Sequence, residues 1–410
     1  MGERRVAVTG AGVVSPIGTT LDDFYRSLCE SRSGLRRLPE EVTKGSGVQV
    51  AGLIDWSPAP FLKDGEAANL DRSTQFALAA AGQAIIASGL DTKATPNRIG
   101  VYWGTGLGGS NTLEVAYKQV YGANEWRLRP LTVVMAMNNA AGSNVAVRYG
   151  LKGKFANFAT ACSSSGMALG EAMRTIQAGR ADAMIAGGSE ALLTPGTLAA
   201  WQALRTLAPI DAANPAASCK PFDTRRGGLV LAEGAAAFVL EEESSARARG
   251  APILALLTGY GNSCDAVHMS RPDRDGQVRA MREALDESKL KSEDIGYITA
   301  HGTATAVGDV VESEAINAVF GEAAARVPVS STKSLHGHLL GGAGALEFAA
   351  ALLPMTRGWL PPTAWLEQPD PACKLRHVPL RAEQTEKPRA VMSNSFAFGG
   401  SNVVLIAERA

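Results

Sequence analysis

Short runs of β-branched residues alternate with longer alanine-rich stretches along the whole chain, and this rhythm limits the fold more than any other feature. VAVTG is followed by TQFALAAAGQAIIASG, then RIGVYWG, then TVVMAMNNAAGSNVAVRYG; later come ILALLTGYG, QVRAMREALDESK, IGYITAHGT, DVVESEAINAVFG, LEFAAALL and AVMSNSFAFGG. Strand and helix in repetition predict parallel sheet covered by helices. The apolar period fails at ESSARARGAP, which divides the chain into 1–250 and 251–410. Both halves have an α/β rhythm, and no repeat in the letters proves a duplication.

Composition narrows the function classes. The 410 residues are 46% hydrophobic and 20% charged, enough apolar material for a large core and more than one domain-sized unit. Lys plus Arg and Asp plus Glu number 40 each, so summed charge provides no attraction toward nucleic acid or an anionic membrane. The five cysteines, Cys29, Cys162, Cys219, Cys264 and Cys373, are odd in number and widely spaced. They point to neither a disulfide framework nor a zinc site, and a reducing cytoplasm suits them. The opening MGERRVAVTGAGVV is interrupted by glycines and Thr9, and reads as a buried strand rather than a signal peptide or membrane span.

One cysteine stands apart. Cys162, in ATACSSSGMALG, follows small residues and precedes three serines, with little around it to pack against. FANFATA reads as a strand and SSSGMALGEAMRTIQAG as a helix closed at Gly179, so the sulfur falls at a strand-to-helix turn facing backbone N–H groups and the helix dipole. A free thiol with a pKa of about 8.5 is a few per cent thiolate at neutral pH. A helix terminus supplies roughly 0.3–1 kcal/mol, up to ~2 when partly buried, so fuller activation calls for a histidine nearby. Of the five histidines, His301 lies in AHGTATAVGD, and His336 and His338 in STKSLHGHLLGGAGALE. Both are glycine-rich turns beyond predicted strands, the edge where open α/β sheets build their sites. A single histidine near glycines is more often structural than catalytic; joined with Cys162 the functional reading gains.

TACSSSGMAL, AHGTATAVGD, STKSLHGHLLGGAGALE and NSFAFGGSN are similar in order and spacing to the four signatures of the β-ketoacyl-acyl-carrier-protein synthases of the thiolase superfamily, most of all the elongating type II. VAVTGAGVVSPIG and AGGSEA extend the likeness over nearly the whole chain. The resemblance implies a thiolase fold, an α/β architecture of duplicated βαβαβαββ halves in a five-layered α-β-α-β-α core. It implies that Cys162 takes an acyl chain from the phosphopantetheine of acyl carrier protein, and that His301 and His338 stabilise the enolate left when malonyl carrier protein loses carbon dioxide. Backbone N–H groups of Cys162 and Phe398 would form the oxyanion hole, with Phe398 also a gate. Lys333 would orient the histidines, paired with Glu347 or Asp309. Thr303 and Thr305 would bind malonyl or pantetheine, although plain turn capping serves equally for them. Leu107 and Phe396 would line the acyl pocket. No metal and no cofactor of the protein's own is implied, and no nucleic-acid or membrane partner. Acyl carrier protein is the implied partner, in a homodimer or a heterodimer with a chain-length-factor-like paralogue, in the cytoplasm. The alternatives are a thiolase acting on coenzyme A esters, which would carry a second cysteine where NSFAFGG stands, and a non-catalytic partner subunit, against which the intact Cys162 argues.

Several positions depart from the family pattern. In RRGGLVLAEGAAA, Gly227 stands for an aspartate, Leu229 for an active-site phenylalanine and Ala232 for a glycine. His336 replaces a threonine and puts a third imidazole close to the site, either inert or perturbing its titration. Ile210 occupies a position where an arginine often meets the carrier protein, leaving Lys63, Arg127 and Arg129 as candidates for that contact.

Overall fold

The computed structural model describes residues 4–63 and 65–410. Ten strands carry the architecture: β1 (Val6–Val14), β2 (Ile99–Gly104), β3 (Phe155–Phe158), β4 (Ala183–Glu190), β5 (Gly234–Glu242), β6 (Ala255–Cys264), β7 (Ile295–Thr299), β8 (Pro328–Ser330), β9 (Ala390–Phe396) and β10 (Ser401–Glu408). Outward from the centre, one half runs β1-β5-β4-β2-β3 and the other β6-β10-β9-β7-β8, with the short strand Arg376–His377 at the far edge. The two central strands meet in a short antiparallel pairing, Val6–Val8 against Leu257–Ala255. Each half has the same mixture of directions: β2 is parallel to β3 and β4, as β7 is to β8 and β9, while β4–β5, β1–β5, β9–β10 and β6–β10 are antiparallel. The halves are therefore a structural duplication.

Six helices complete the layers: α1 (Arg72–Ser88), α2 (Ala140–Tyr149), α3 (Ser164–Gln177), α4 (Arg274–Ser288), α5 (Gly308–Phe320) and α6 (Ala343–Ala351). α1 covers β1 and β5 on one outer face, and α4 covers β6 and β10 on the other. Between the sheets α3 and α6 pack on each other, α3 against β4 and β2, α6 against β9 and β7. The result is the expected α-β-α-β-α order. Buried side chains on α6, such as Leu346 and Phe348, join the largest apolar cluster together with Phe238 and Tyr260.

The register of the duplication is set by glycines. A Cβ on Gly10 or Gly12 of β1 would lie 2.2 Å from the Ala84 carbonyl or 2.1 Å from that of Ala80, in α1. On β6, a Cβ on Gly259 or Gly261 would lie 2.3 Å from the Ala284 carbonyl or 1.9 Å from that of Ala280, in α4. Only a residue without Cβ lets a helix backbone come this close. TGAG and TGYG are thus equivalent, four letters too few to be seen as a repeat before the strands are aligned. Both helices start on an aspartate: Asp71 accepts from the Ser73 N–H and Asp273 from that of Gly276. ESSARARGAP is not a bare linker, since Glu243–Ala248 forms a helical turn whose N-cap, Glu242, accepts from the N–H groups of Ser244 and Ser245.

Candidate active site

β3 ends at Phe158, and the chain turns sharply through Ala161, a non-glycine residue at φ +52°, into a 3-10 turn, Ala161–Ser163, that leads into α3. The serines that follow Cys162 hold this turn. Ser164 Oγ accepts from the Thr160 N–H at 2.9 Å and donates to the Ala161 carbonyl at 2.6 Å. Ser163 Oγ donates to the Thr160 carbonyl at 2.9 Å. Ser165 Oγ accepts from the Ala345 N–H at 2.9 Å, pinning α6 to α3. A left-handed alanine costs roughly 1–3 kcal/mol, and the bonds around it keep the strained turn in place.

The thiol is 4% exposed. Burial pushes its pKa up to about 12, against the opposing pull of the Lys333 charge and the Phe398 N–H. Loss of solvation is the largest influence on this thiol and opposes the stabilisation expected from the turn.

Both expected histidines reach it. His338 Nε2 lies 3.1 Å from Cys162 Sγ, and its Nδ1 accepts from the Leu340 N–H at 3.3 Å. With Nδ1 an acceptor, the ring proton belongs on Nε2, which donates toward the sulfur. His301 follows β7, with its ring centroid 5.4 Å from that of His338 at 81°. The Lys333 ammonium faces His301 Nδ1 at 3.4 Å and also donates to the His301 carbonyl. An ammonium can only donate, so His301 too carries its proton on Nε2. Burial first, and then the Lys333 charge, hold both imidazoles well below the usual histidine range. Cys162 Sγ and one nitrogen of each ring lie within 4.8 Å of one another. A metal-binding histidine donates its far N–H to an acceptor; here donors occupy the far nitrogens, so the pair is built to offer N–H groups rather than lone pairs.

Lys333 is fully buried and ion-paired with Glu347, equally buried, whose pKa burial pushes up to about 7. Asp309, the other expected partner, goes elsewhere: its carboxylate accepts from the N–H groups of Phe222 at 2.7 Å and Ala304 at 3.1 Å. It shapes the loop that bears Thr303 and Thr305. Their hydroxyls lie 3.0 Å apart on the wall of the site, and Thr305 Oγ1 also accepts from the Gly308 N–H at 3.2 Å. Capping and cleft exposure coexist at Thr305. Phe396 and Phe398 line the same cleft, Phe396 with its ring 6.2 Å from that of His301 and Phe398 stacked on Trp201.

The cleft has a volume of about 370 Å³ and opens past Arg205, His268 and Arg271. Leu107 is not among its walls: it is 49% exposed, on a loop packed against the segment that carries exposed Val133, Val134 and Met137. Arg127 and Arg129 likewise lie outside the cleft, Arg129 donating to the Ala68 carbonyl, and Lys63 is an exposed surface residue. Ile210 packs inward, half-buried against a small cluster with Leu35 and Val230. Leu229 shares an apolar cluster with Cys162 and Leu340, and a Cβ at Gly227 would stand 2.9 Å from Pro209, which leaves little room there for an aspartate.

Two carboxylates unnoticed in the sequence anchor the catalytic loops. Glu312 accepts from the N–H groups of His301 at 2.8 Å and Gly302 at 2.7 Å. Glu190 accepts from Gly106 at 2.6 Å, Leu107 at 3.3 Å and Gly341 at 3.0 Å, tying the Leu107 loop to the turn after His338. Glu190 carries a sequence signal, an acid at the end of the small, glycine-rich run AGGSEA where an unpaired charge would be costly, whereas Glu312 in DVVESEAI sits among other acids and carries none.

With this geometry in view, the comparisons with known proteins converge. Residues 3–246 match the model of the Beta-ketoacyl synthase, N-terminal domain, and residues 254–367 that of the Beta-ketoacyl synthase, C-terminal domain. The chain belongs to the β-ketoacyl synthase family. This synthase is 39% identical to a 3-oxoacyl-[acyl-carrier-protein] synthase 2 of Staphylococcus aureus over 99% of its own length and 98% of the relative's. Among solved structures, the synthase is similar to a chain of the ishigamide ketosynthase/chain length factor, with TM-score 0.93, 34% identity and full coverage of both chains. It also resembles a chain of AntDE:AntF, a type II PKS acyl-carrier protein in complex with its ketosynthase bound to the hexaketide, with TM-score 0.91, 31% identity and full coverage of both. The thiolase-type fold expected from the sequence is the fold of these ketosynthases.

Proposed function

We propose that the synthase performs a decarboxylative Claisen condensation between an acyl group on Cys162 and malonyl-acyl carrier protein, giving β-ketoacyl-acyl carrier protein and carbon dioxide. The observation that carries this reading is the meeting of one thiol with two Nε2–H donors, His301 and His338. In the first half-reaction the bond from Cys162 Sγ to the acyl carbon forms as the pantetheine thioester bond breaks, and the thiol proton leaves with the pantetheine sulfur. In the second, the bond to the malonyl carboxylate breaks, carbon dioxide leaves, and the electron pair moves onto the thioester oxygen, which accepts from both imidazoles. Neutral donors suit this step because a held N–H stabilises developing charge without giving up its proton. The enolate carbon attacks the acyl-Cys162 carbonyl, whose oxygen is received by the N–H groups of Cys162 and Phe398. Collapse breaks the bond from Cys162 Sγ to the acyl carbon, releases the product on its carrier and leaves the sulfur as a thiolate, which takes a proton from solvent to restore the thiol. Lys333, neutralised by Glu347, acts through His301, and Thr303 and Thr305 contact the malonyl or pantetheine arm.

The residues supplying this chemistry come from both halves, Cys162 from 1–250 and the histidines, Lys333 and Phe398 from 251–410. Acyl carrier protein is the partner, with Arg205 and Arg271 rather than Arg127 and Arg129 at the mouth it would approach. A second copy, or a chain-length-factor-like paralogue, would cover Leu107 and the apolar residues beside it. Among the described residues no helix is long and apolar enough to cross a membrane; we place the reaction in the cytoplasm, with substrates carried on phosphopantetheine and no cofactor resident in the protein. A thiolase acting on coenzyme A esters is disfavoured because Cys162 is the one cysteine among the residues lining the cleft.

The test is intact-mass detection of acyl transfer to Cys162 from a panel of acyl carrier proteins, followed by addition of malonyl carrier protein. Loading and two-carbon extension that vanish in Cys162→Ala support the reading; cleavage of acetoacetyl-coenzyme A without release of carbon dioxide from malonyl carrier protein would overturn it.

A further inference from the structure

His336, the third imidazole of the sequence, takes no place in the cleft. It is fully buried behind the turn that carries His338, with its ring centroid 6.2 Å from that of Phe24. Its Nδ1 lies 2.7 Å from the Gly337 carbonyl oxygen and its Nε2 lies 2.9 Å from Thr332 Oγ1. A carbonyl can only accept, so the proton sits on Nδ1, and Nε2 accepts from the threonine hydroxyl. Burial and the Lys333 charge push the ring's pKa down to about 3, which keeps this neutral tautomer at any pH where the protein works.

The consequence falls on the next peptide. Gly337 adopts φ +77° and ψ −168°, a conformation that glycine enters freely and can as freely leave. The plane between Gly337 and His338 is nevertheless held at both polar atoms: its carbonyl by His336 Nδ1–H, and its N–H by the Val230 carbonyl at 2.7 Å. The strand Val50–Gly52 seals the far side, where a Cβ on Gly52 would stand 2.6 Å from the His336 carbonyl. The residue that this plane presents is His338, with Nε2 3.1 Å from Cys162 Sγ. We propose that His336 is a positioning residue for His338: its Nδ1–H fixes the Gly337 carbonyl and so sets the peptide plane from which the donor facing Cys162 is presented. This inference rests on the condensing reaction proposed above.

Three substitutions separate the bond from the bulk. His336→Asn puts an amide nitrogen where Nδ1 stands and keeps the donor; His336→Gln carries its amide to the Nε2 position and leaves Gly337 without one; His336→Phe keeps the packing on Phe24 and removes both contacts. Carbon dioxide release from malonyl-pantetheine is measured for kcat and KM, and in parallel the rate at which iodoacetamide alkylates Cys162. Displacing a catalytic group by about 1 Å costs on the order of 100-fold, so Gln and Phe should lower kcat by about 10–100-fold with KM unchanged, while Asn stays within about threefold. Alkylation should slow in Gln and Phe and not in Asn, because the sulfur's donor is displaced only in the first two. Wild-type kcat in the Phe variant, or an Asn variant that fails to fold or falls as far as Phe, would overturn the proposal. If the wild-type protein releases no carbon dioxide, the reaction reading fails, and the alkylation series still decides the role of His336.

Discussion

Replacing Lys333 by methionine separates two contributions made by one buried ammonium. The Lys333 and Glu347 side chains are each 1% exposed, so Lys333→Met leaves a carboxylate without its counter-charge in the middle of the protein. Breaking such a pair costs about 3–5 kcal/mol. The cost is bounded because Glu347, already raised to about 7 beside the lysine, takes up a proton once the lysine is gone. Adding Glu347→Gln removes the second charge and should recover most of the lost stability. Activity should not follow. Without the ammonium at Nδ1, the His301 ring is free to move its proton there, and Nε2 then presents a lone pair to the enolate oxygen. Loss of one preorganised donor costs about 10²–10³ in kcat. Urea unfolding midpoints and carbon dioxide release from malonyl carrier protein should therefore part company: the single variant loses both, while the double variant regains stability and stays about 10²–10³ down in kcat. A Lys333→Met protein within about threefold of wild-type kcat, or a double variant that regains activity with stability, would refute the argument that lysine sets the tautomer.

Other consequences are open to direct measurement. With Cys162 pushed up to about 12, alkylation by iodoacetamide should accelerate about tenfold per pH unit between roughly pH 7 and 9 without levelling off, since only the thiolate reacts; a plateau below pH 8 would show a thiol already ionised. Gly12→Ala and Gly261→Ala place a methyl against the Ala80 and Ala280 carbonyls, and each should destabilise by at least about 1–3 kcal/mol in urea unfolding, with Gly122→Ala, which meets no atom within 4 Å, as the near-neutral control. Equal midpoints for all three would sink the assignment of those glycines to helix packing.

Much of this protein is written in local pattern. Alternation of β-branched and alanine-rich runs is enough for a layered α/β fold, because a strand or helix with an apolar face must bury it against the next element. The turn that carries Cys162 is legible in the same way, as small residues between a strand and a serine-led helix, and glycine-rich segments mark His301 and His338 as loop residues at strand ends. What stayed hidden depends on partners far apart in the chain. Cys162 and His338 are 176 residues apart, and the lysine that faces His301 Nδ1 comes from another loop, 32 residues on. Glu190 and Glu312 read as ordinary acids until backbone N–H groups converge on them. The duplication of TGAG and TGYG appears only when the strands are set in register. Leu107 stands 49% exposed on the surface of the single chain, a position that the sequence does not reveal. The turn at a helix start is a local feature, whereas the desolvation that raises the Cys162 thiol is a property of the whole packed interior. Sequence determines which residue types sit at which turns, because backbone preference is local; tertiary structure alone decides which nitrogen holds the proton, which acid meets the lysine and whether the thiol is ionised, because those depend on burial and on charges brought together from distant parts of the chain.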